Sequence, residues 1–211
     1  MILLPSVVVF AIILDLLFGD PQNKYHPTVW VGKLVGKFVP IAKTNDPQKE
    51  KLNGILLVIS VVALVSFLVF SFSSVLKYAE NLEMSQISKV LVIIFSVAVS
   101  AILLKTTIAI RGMEYHGLKI MESLARNDLE DARARLSMIV KRNTKNLDKQ
   151  HIISATLESI SENIVDGITG PLFYLSFFGL AGAFAYRTVN TIDSMIGYKT
   201  EIFQNLGWFG A

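Results

Sequence analysis

The sequence contains no cysteine. That removes disulfide staples, thiolate nucleophiles, iron–sulfur clusters and cysteine-based zinc sites at once. Charge is also scarce: 18% of the 211 residues are Asp, Glu, Lys or Arg, against about a quarter in soluble domains. With 52% hydrophobic residues and a mean hydropathy of +0.51, an ordinary soluble domain, a disordered chain and a collagen or coiled-coil rod are excluded. No G-x-x-x-x-G-K-[ST], G-x-G-x-x-G, H-E-x-x-H or G-x-S-x-G motif occurs, so nucleotide chemistry here does not run through a P-loop. The net charge of +3 is small and the basic residues are sorted by segment, which leaves nucleic-acid binding without support.

What remains is a membrane chain. A helix needs about 20 mostly apolar residues to cross the hydrocarbon core. Residues 1–18 supply a short candidate with one acid, Asp15; residues 54–76 carry no charge; residues 90–110 carry only Lys105, whose ammonium can snorkel to the near interface. Residues 1–18 lack the basic start and small-residue cleavage site of a signal peptide. An acid inside a span is costly enough to mark Asp15 as a functional candidate. Residues 19–53 hold six Lys and residues 111–163 hold nine Lys plus Arg, while residues 77–89 hold two. The positive-inside bias therefore puts the N-terminus outside and both long polar segments in the cytoplasm.

The expected fold is all-α: one membrane-embedded domain over 1–211, multi-pass in the cell membrane, with a cytoplasmic helical region over 111–163. Within that region residues 114–127 and 129–140 have helical periodicity, with Asn127-Asp128 as a cap for the second; Asn146 or Asp148 caps a third helix. The basic turn KRNTKN at 141–146 can hold phosphate, a weak signal by itself. From Asp148 onward Ser154, Glu158 and Glu162 are i,i+4 neighbours, with His151 and Asp166 close to the same stripe. Adjacent carboxylates repel, so they need a partner: a hard divalent cation held by Glu158, Glu162, Asn163 and Asp166, or an ion pair to Arg135 or Arg142. Asp166-Gly167 and Gly170-Pro171 are expected to end the helix. The following small-residue-rich apolar stretch, about 168–186, reads as a re-entrant or broken helix or a fourth span, tolerable at membrane depth only where protein or a water-filled cavity covers it. Polar groups return at Arg187, Asn190, Asp193 and Lys199. Near the first span, Gly19-Asp20-Pro21 and His26-Pro27 form a stiff turn that holds an acid and a titratable base at the membrane surface.

Four blocks carry a resemblance: LDLLFGDP-(x)4-HP at 14–27, ARARLSMIVKRNT at 132–144, ATLESISENIVDGITGPLFY at 155–174 and AYRTVNTIDSMIGYK at 185–199. In this order, with apolar spans between them, they resemble the adenosylcobinamide-phosphate synthase family, the CbiB/CobD membrane proteins of cobalamin biosynthesis. The resemblance implies a ligase that joins the propionate carboxylate of adenosylcobyric acid to an amino-alcohol phosphate, such as aminopropanol or ethanolamine phosphate, driven by ATP and Mg²⁺. It implies catalytic roles for Glu158, Glu162, Asn163, Asp166, Asn190 and Asp193, with Glu158, Glu162, Asp166 and Asp193 as metal ligands. It also implies substrate-binding roles for Asp20, His26, Arg135, Arg142, Arg187 and Lys199, on the cytoplasmic face. Expected partners are the two substrates and the lipid bilayer, with a homo-oligomer or association with other corrin-pathway enzymes left open. Two departures stand out: the turn at 141–146 reads KRNTKN where the family has GRDT, and family members run on beyond this point, so the chain is expected to be a shortened copy or a piece. The competing expectation is a non-enzymatic transporter or scaffold for corrinoid metabolism, which explains the spans but not the paired carboxylates.

Overall fold

The computed structural model describes residues 3–198 and 200–211. Eight α-helices follow one another: α1 Leu3–Phe18, α2 Pro27–Ala42, α3 Pro47–Glu80, α4 Gln86–Lys105, α5 Ile110–Ala125, α6 Leu129–Leu136, α7 Lys149–Ile164 and α8 Gly170–Ile196. A 3-10 turn covers Asn23–Tyr25 and a π-helical turn covers Val165–Thr169, and no strand occurs among the described residues. Three helical stretches, Pro47–Glu80, Gln86–Ala125 and Lys149–Ile196, are long and apolar enough to cross a membrane. At 16 residues α1 is apolar but shorter. The all-α, multi-pass membrane architecture expected from hydropathy is the one observed.

Helix boundaries follow local chemistry. Asp46 starts α3 by accepting from the N–H groups of Gln48 and Lys49 at 3.0 and 3.3 Å, with Pro47 in the first turn. Asp128 and Asp148 cap α6 and α7 through the N–H groups of Asp131 and His151, at 3.0 and 2.9 Å. The span expected over 90–110 stops at Lys105, because the Thr106 and Thr107 hydroxyls donate back to the carbonyls of Leu103 and Leu104 and the chain turns. Within the polar segment 19–53, residues 27–42 form α2, whose buried Val31 and Val35 face α3 and α8.

Three apolar cores result. Val7 and Ala11 of α1 pack with Ala101 and Leu104 of α4 and with Leu175 and Leu180 of α8. Val31 and Val35 of α2 pack with Leu57, Val58 and Val61 of α3 and with Ile192 and Ile196. Ile120, Leu124, Ala132, Leu136, Ile152 and Ala155 join α5, α6 and α7 into a small helical subdomain.

α8 is not a rod. Gly179 has φ 64° and ψ −159°, a backbone region that is essentially glycine-only, and the chain reverses there. The rings of Tyr174 and Tyr186 stack at 5.2 Å between centroids, and Gly182 lies against the Tyr174 carbonyl. Gly170 lies against the Tyr186 ring, where a side chain would collide. These pairs fix an antiparallel hairpin: residues 170–178 run in and residues 180–196 run back. Nine residues reach about 13 Å, less than half of the ~30 Å hydrocarbon core, so the limb is re-entrant. On one side of the reversal Leu180 sits in the core with residues of α1 and α4, while Phe177 and Phe178 on the other are exposed. Asp166-Gly167 and Gly170-Pro171 do not end the helix as expected. The π-turn carries the chain through, and the Gly167 carbonyl that a residue with an N–H at 171 would serve accepts instead from the Ala109 N–H at 3.1 Å.

Candidate functional site

The floor of the site is a reciprocal tie between α1 and α5. Asp15 is fully buried, and its Oδ2 accepts from the N–H groups of Ile110 and Arg111 at 2.9 and 3.0 Å. It caps α5 from 95 residues away, at a start where Ala109 has no side chain able to do so. The Arg111 guanidinium returns the favour to α1, donating to the carbonyls of Leu16 (2.9 Å) and Leu17. Lys105 donates to the Gly19 carbonyl and is buried rather than snorkelled to bulk water. The cap gives buried Asp15 a structural role through Oδ2, while its Oδ1 is buried without a hydrogen-bond partner among the described residues.

On that floor Asp20 and His26 come together. His26 Nε2 lies 3.6 Å from Asp20 Oδ1. His26 Nδ1 accepts from the Thr28 N–H at 3.3 Å and meets the Thr28 hydroxyl at 2.6 Å, which starts α2 and leaves Nε2 to carry a proton toward Asp20. Burial disfavours the Asp20 carboxylate, but the hydrogen bond and charge of His26, with Lys105 and Arg187 beyond, outweigh it and hold the carboxyl below the ordinary aspartate range. Asp20 opens into a cavity of about 180 Å³ lined also by Gly112, His116, Ser159 and Asn163.

The mouth of the hairpin supplies the other wall. The π-turn presents Asp166 to the returning limb, where Tyr186 donates to Oδ1 at 3.1 Å and Asn190 Nδ2 donates to Oδ2 at 2.9 Å. Arg187 Nη1 donates to Asn190 Oδ1 at 3.1 Å and to the Asp166 carbonyl at 3.4 Å. That fixes the orientation of the Asn190 amide, which faces an acceptor on one side and a donor on the other. The charges of both Asp20 and Asp166 act on Arg187. Its Nε is buried and has no hydrogen-bond partner among the described residues. A buried, unpaired guanidinium N–H calls for an acceptor.

The fold thus gathers Asp20, His26, Asn163, Asp166, Arg187 and Asn190. It leaves the other predicted residues apart. Glu158 is exposed and paired with Arg142; Glu162 is exposed. Arg135 bonds Asp131 at 2.7 Å, within α6. Asp193 is exposed past the hairpin mouth, where the Gly197 N–H bonds its backbone carbonyl. Lys199 lies outside the described residues. The stripe expected to hold a cation faces outward because Ile152, Ala155 and Ser159 occupy the packed face of α7. Tyr186 and His116 were not anticipated. Tyr186 had a signal, sitting four residues before Asn190 on the same helical face; His116 had none.

No group of three His, Asp or Glu side chains that could hold a metal ion occurs among the described residues. Both oxygens of Asp166 already accept hydrogen bonds, and Asp20 faces His26. These donors do not fit an all-protein cage for a resident divalent cation.

A family profile described as CobD/Cbib protein matches residues 8–211. A "Probable cobalamin biosynthesis protein CobD" of Methanococcus maripaludis (strain C7) is 39% identical over 206 residues, covering 96% of this chain and 64% of that protein. One of Methanocaldococcus jannaschii is 39% identical over 212 residues, covering 98% of this chain and 63% of that protein. A "Cobalamin biosynthesis protein CobD" of Clostridium perfringens is 34% identical over 204 residues, covering 97% and 61%. The chain therefore spans somewhat less than two thirds of the length of the curated relatives it matches. No solved structure matches.

Proposed function

Because the chain belongs to the CobD/CbiB family, we propose that it acts in cobalamin biosynthesis as a membrane-bound ligase. It joins adenosylcobyric acid, through its propionate carboxylate, to an amino-alcohol phosphate such as aminopropanol or ethanolamine phosphate. The observation that carries this reading is the meeting of Asp20, Asp166 and Asn190 around Arg187, whose buried Nε has no partner among the described residues.

Amide formation from a carboxylate must first create a leaving group. The propionate oxygen attacks the γ-phosphorus of ATP, which enters as its magnesium complex; ADP departs and an acyl phosphate forms. The amine nitrogen then attacks the acyl carbon, inorganic phosphate departs, and the amine gives up a proton. Arg187, with Nε free to donate, neutralises charge that builds on the transferring phosphoryl oxygens. Asn190 and Tyr186 hold Asp166 in place. The Asp20–His26 pair receives the proton released by the amine. Asn163, beside Asp20, orients the amino-alcohol. The lysine-rich side of the chain supports a cytoplasmic site, where ATP is available.

The test is conversion by membranes carrying the chain, supplied with adenosylcobyric acid, aminopropanol phosphate and MgATP. Formation of adenosylcobinamide phosphate with equimolar ADP supports the ligase. Corrinoid movement across vesicles with no ATP consumed and no new amide contradicts it and favours a transporter.

A further inference from the structure

A second polar cavity, of about 890 Å³, lies between α6 and the turn that follows it and shares no lining residue with the first. It is lined by Arg133, Lys141, Arg142 and Lys145, with Glu130 the one acid among its lining residues. Its size falls within the ~300–1,000 Å³ of small-molecule sites. The turn is held in place rather than loose. Thr144 is buried and its hydroxyl donates to the Arg133 carbonyl at 3.0 Å; the Lys145 N–H bonds Asn143 Oδ1 at 3.0 Å. Arg133 Nε is bound to the Leu147 carbonyl at 2.8 Å. Lys141 is fixed by the Ser194 carbonyl at 3.0 Å and by the Tyr198 ring, 4.2 Å from its centroid.

Those contacts position the cations without cancelling them, because carbonyls and a ring carry no net charge. Among the described residues Arg133, Lys141 and Lys145 form no ion pair, and only Arg142 does, with Glu158. Three uncompensated cations on a rigid rim match an anion of several charges better than a single phosphate monoester. The geometry points to this bowl as a polyphosphate site that takes the triphosphate of a nucleotide. That it receives ATP rests on the ligase reading; that it takes a polyphosphate does not. Lys141 ties the bowl to Ser194, one turn beyond Asn190 on the returning limb, which sets the bowl beside the hairpin mouth.

The test is equilibrium binding of inorganic tripolyphosphate and of ATP, without corrinoid, to the 211-residue chain in nanodiscs of neutral phosphatidylcholine. Both should bind, and Lys145→Glu and Lys141→Glu should each weaken both by at least tenfold. Lys145 is exposed, so its variant keeps the wild-type unfolding midpoint. Asp166→Asn should lose ligation yet bind tripolyphosphate like the parent. Tripolyphosphate that does not bind, or that binds equally to both lysine variants, overturns the proposal. So does a bowl occupied only when anionic phosphatidylglycerol is added, which would make the anion a lipid headgroup. Tripolyphosphate binding without ATP binding would keep the bowl and count against the ligase. ATP binding that ignores both lysines would sink the bowl and leave the ligase standing.

Discussion

Asp166 and Asn190 are 24 residues apart in sequence and share a 2.9 Å hydrogen bond where the two limbs of the re-entrant hairpin meet. The same antiparallel register sets Gly170 against Tyr186 and Gly182 against the Tyr174 carbonyl. One backbone reversal, at Gly179, therefore decides whether the acid and the amide face each other.

Gly179→Ala isolates that reversal, since an added methyl meets nothing within 4 Å and only the positive φ is penalised. The expected cost is about 1–3 kcal/mol, read as a lower unfolding midpoint in detergent together with lost activity. A variant as stable as the parent would mean that the hairpin does not need a glycine-only turn.

The Asp15 cap should be a stability element, not a catalytic one. Asp15→Ala leaves two N–H groups at the start of α5 without their acceptor, at a cost of about 2 kcal/mol. Arg111→Ala frees the α1 carbonyls instead. The two faces of this tie share α1 and α5, so a double-mutant cycle should show coupling of about 0.5 kcal/mol or more; strict additivity would refute a reciprocal tie.

For Asp20 the sign follows from its lowered pKa. A carboxyl held below its ordinary value favours folding in its ionised form. That contribution is complete above the unfolded aspartate value of about 3.9 and fades as pH falls through the lower folded value. Unfolding midpoints of the parent and Asp20→Asn should differ between pH 5 and 7 and converge below about pH 4. A difference that stays constant down to pH 3 would assign the effect to packing.

Topology can be read directly, because the chain has no cysteine of its own. Asn23, Ser161 and Glu83 are all exposed. A membrane-impermeant maleimide should reach single cysteines at 23 and 161 from one side and at 83 from the other. Labelling of 23 and 161 from opposite sides would separate the two walls of the site.

Much of this was legible in composition and short patterns. Apolar runs with no charge or one located α3 and α4, glycine and small residues marked the re-entrant limb, and of the cap candidates Asn127-Asp128 and Asn146 or Asp148 it is Asp128 and Asp148 that cap. Asp20 with His26 was legible because two X-Pro steps stiffen a short turn. The spacing of Glu158 and Glu162 was visible too, but not which way the stripe faces; the opposite face of α7 packs inward and turns it out. The 27–42 helix is harder to read because Gly32, Gly36 and Pro40, residues that weaken a helix, sit inside it. Long-range pairs such as Asp15 with α5 leave no local pattern, since the partners lie about a hundred residues apart.

The central claim is that reaction takes place at the Asp166–Asn190–Arg187 junction. Its most direct test is the rate of adenosylcobinamide phosphate formation in membranes carrying Asp166→Asn or Arg187→Gln, with Glu122→Gln as a surface control and insertion confirmed for each. Loss of two or more charge-assisted contacts predicts at least about a hundredfold fall for the first two and a control within about twofold of the parent. Parent-like rates in both junction variants would place the chemistry elsewhere in the chain.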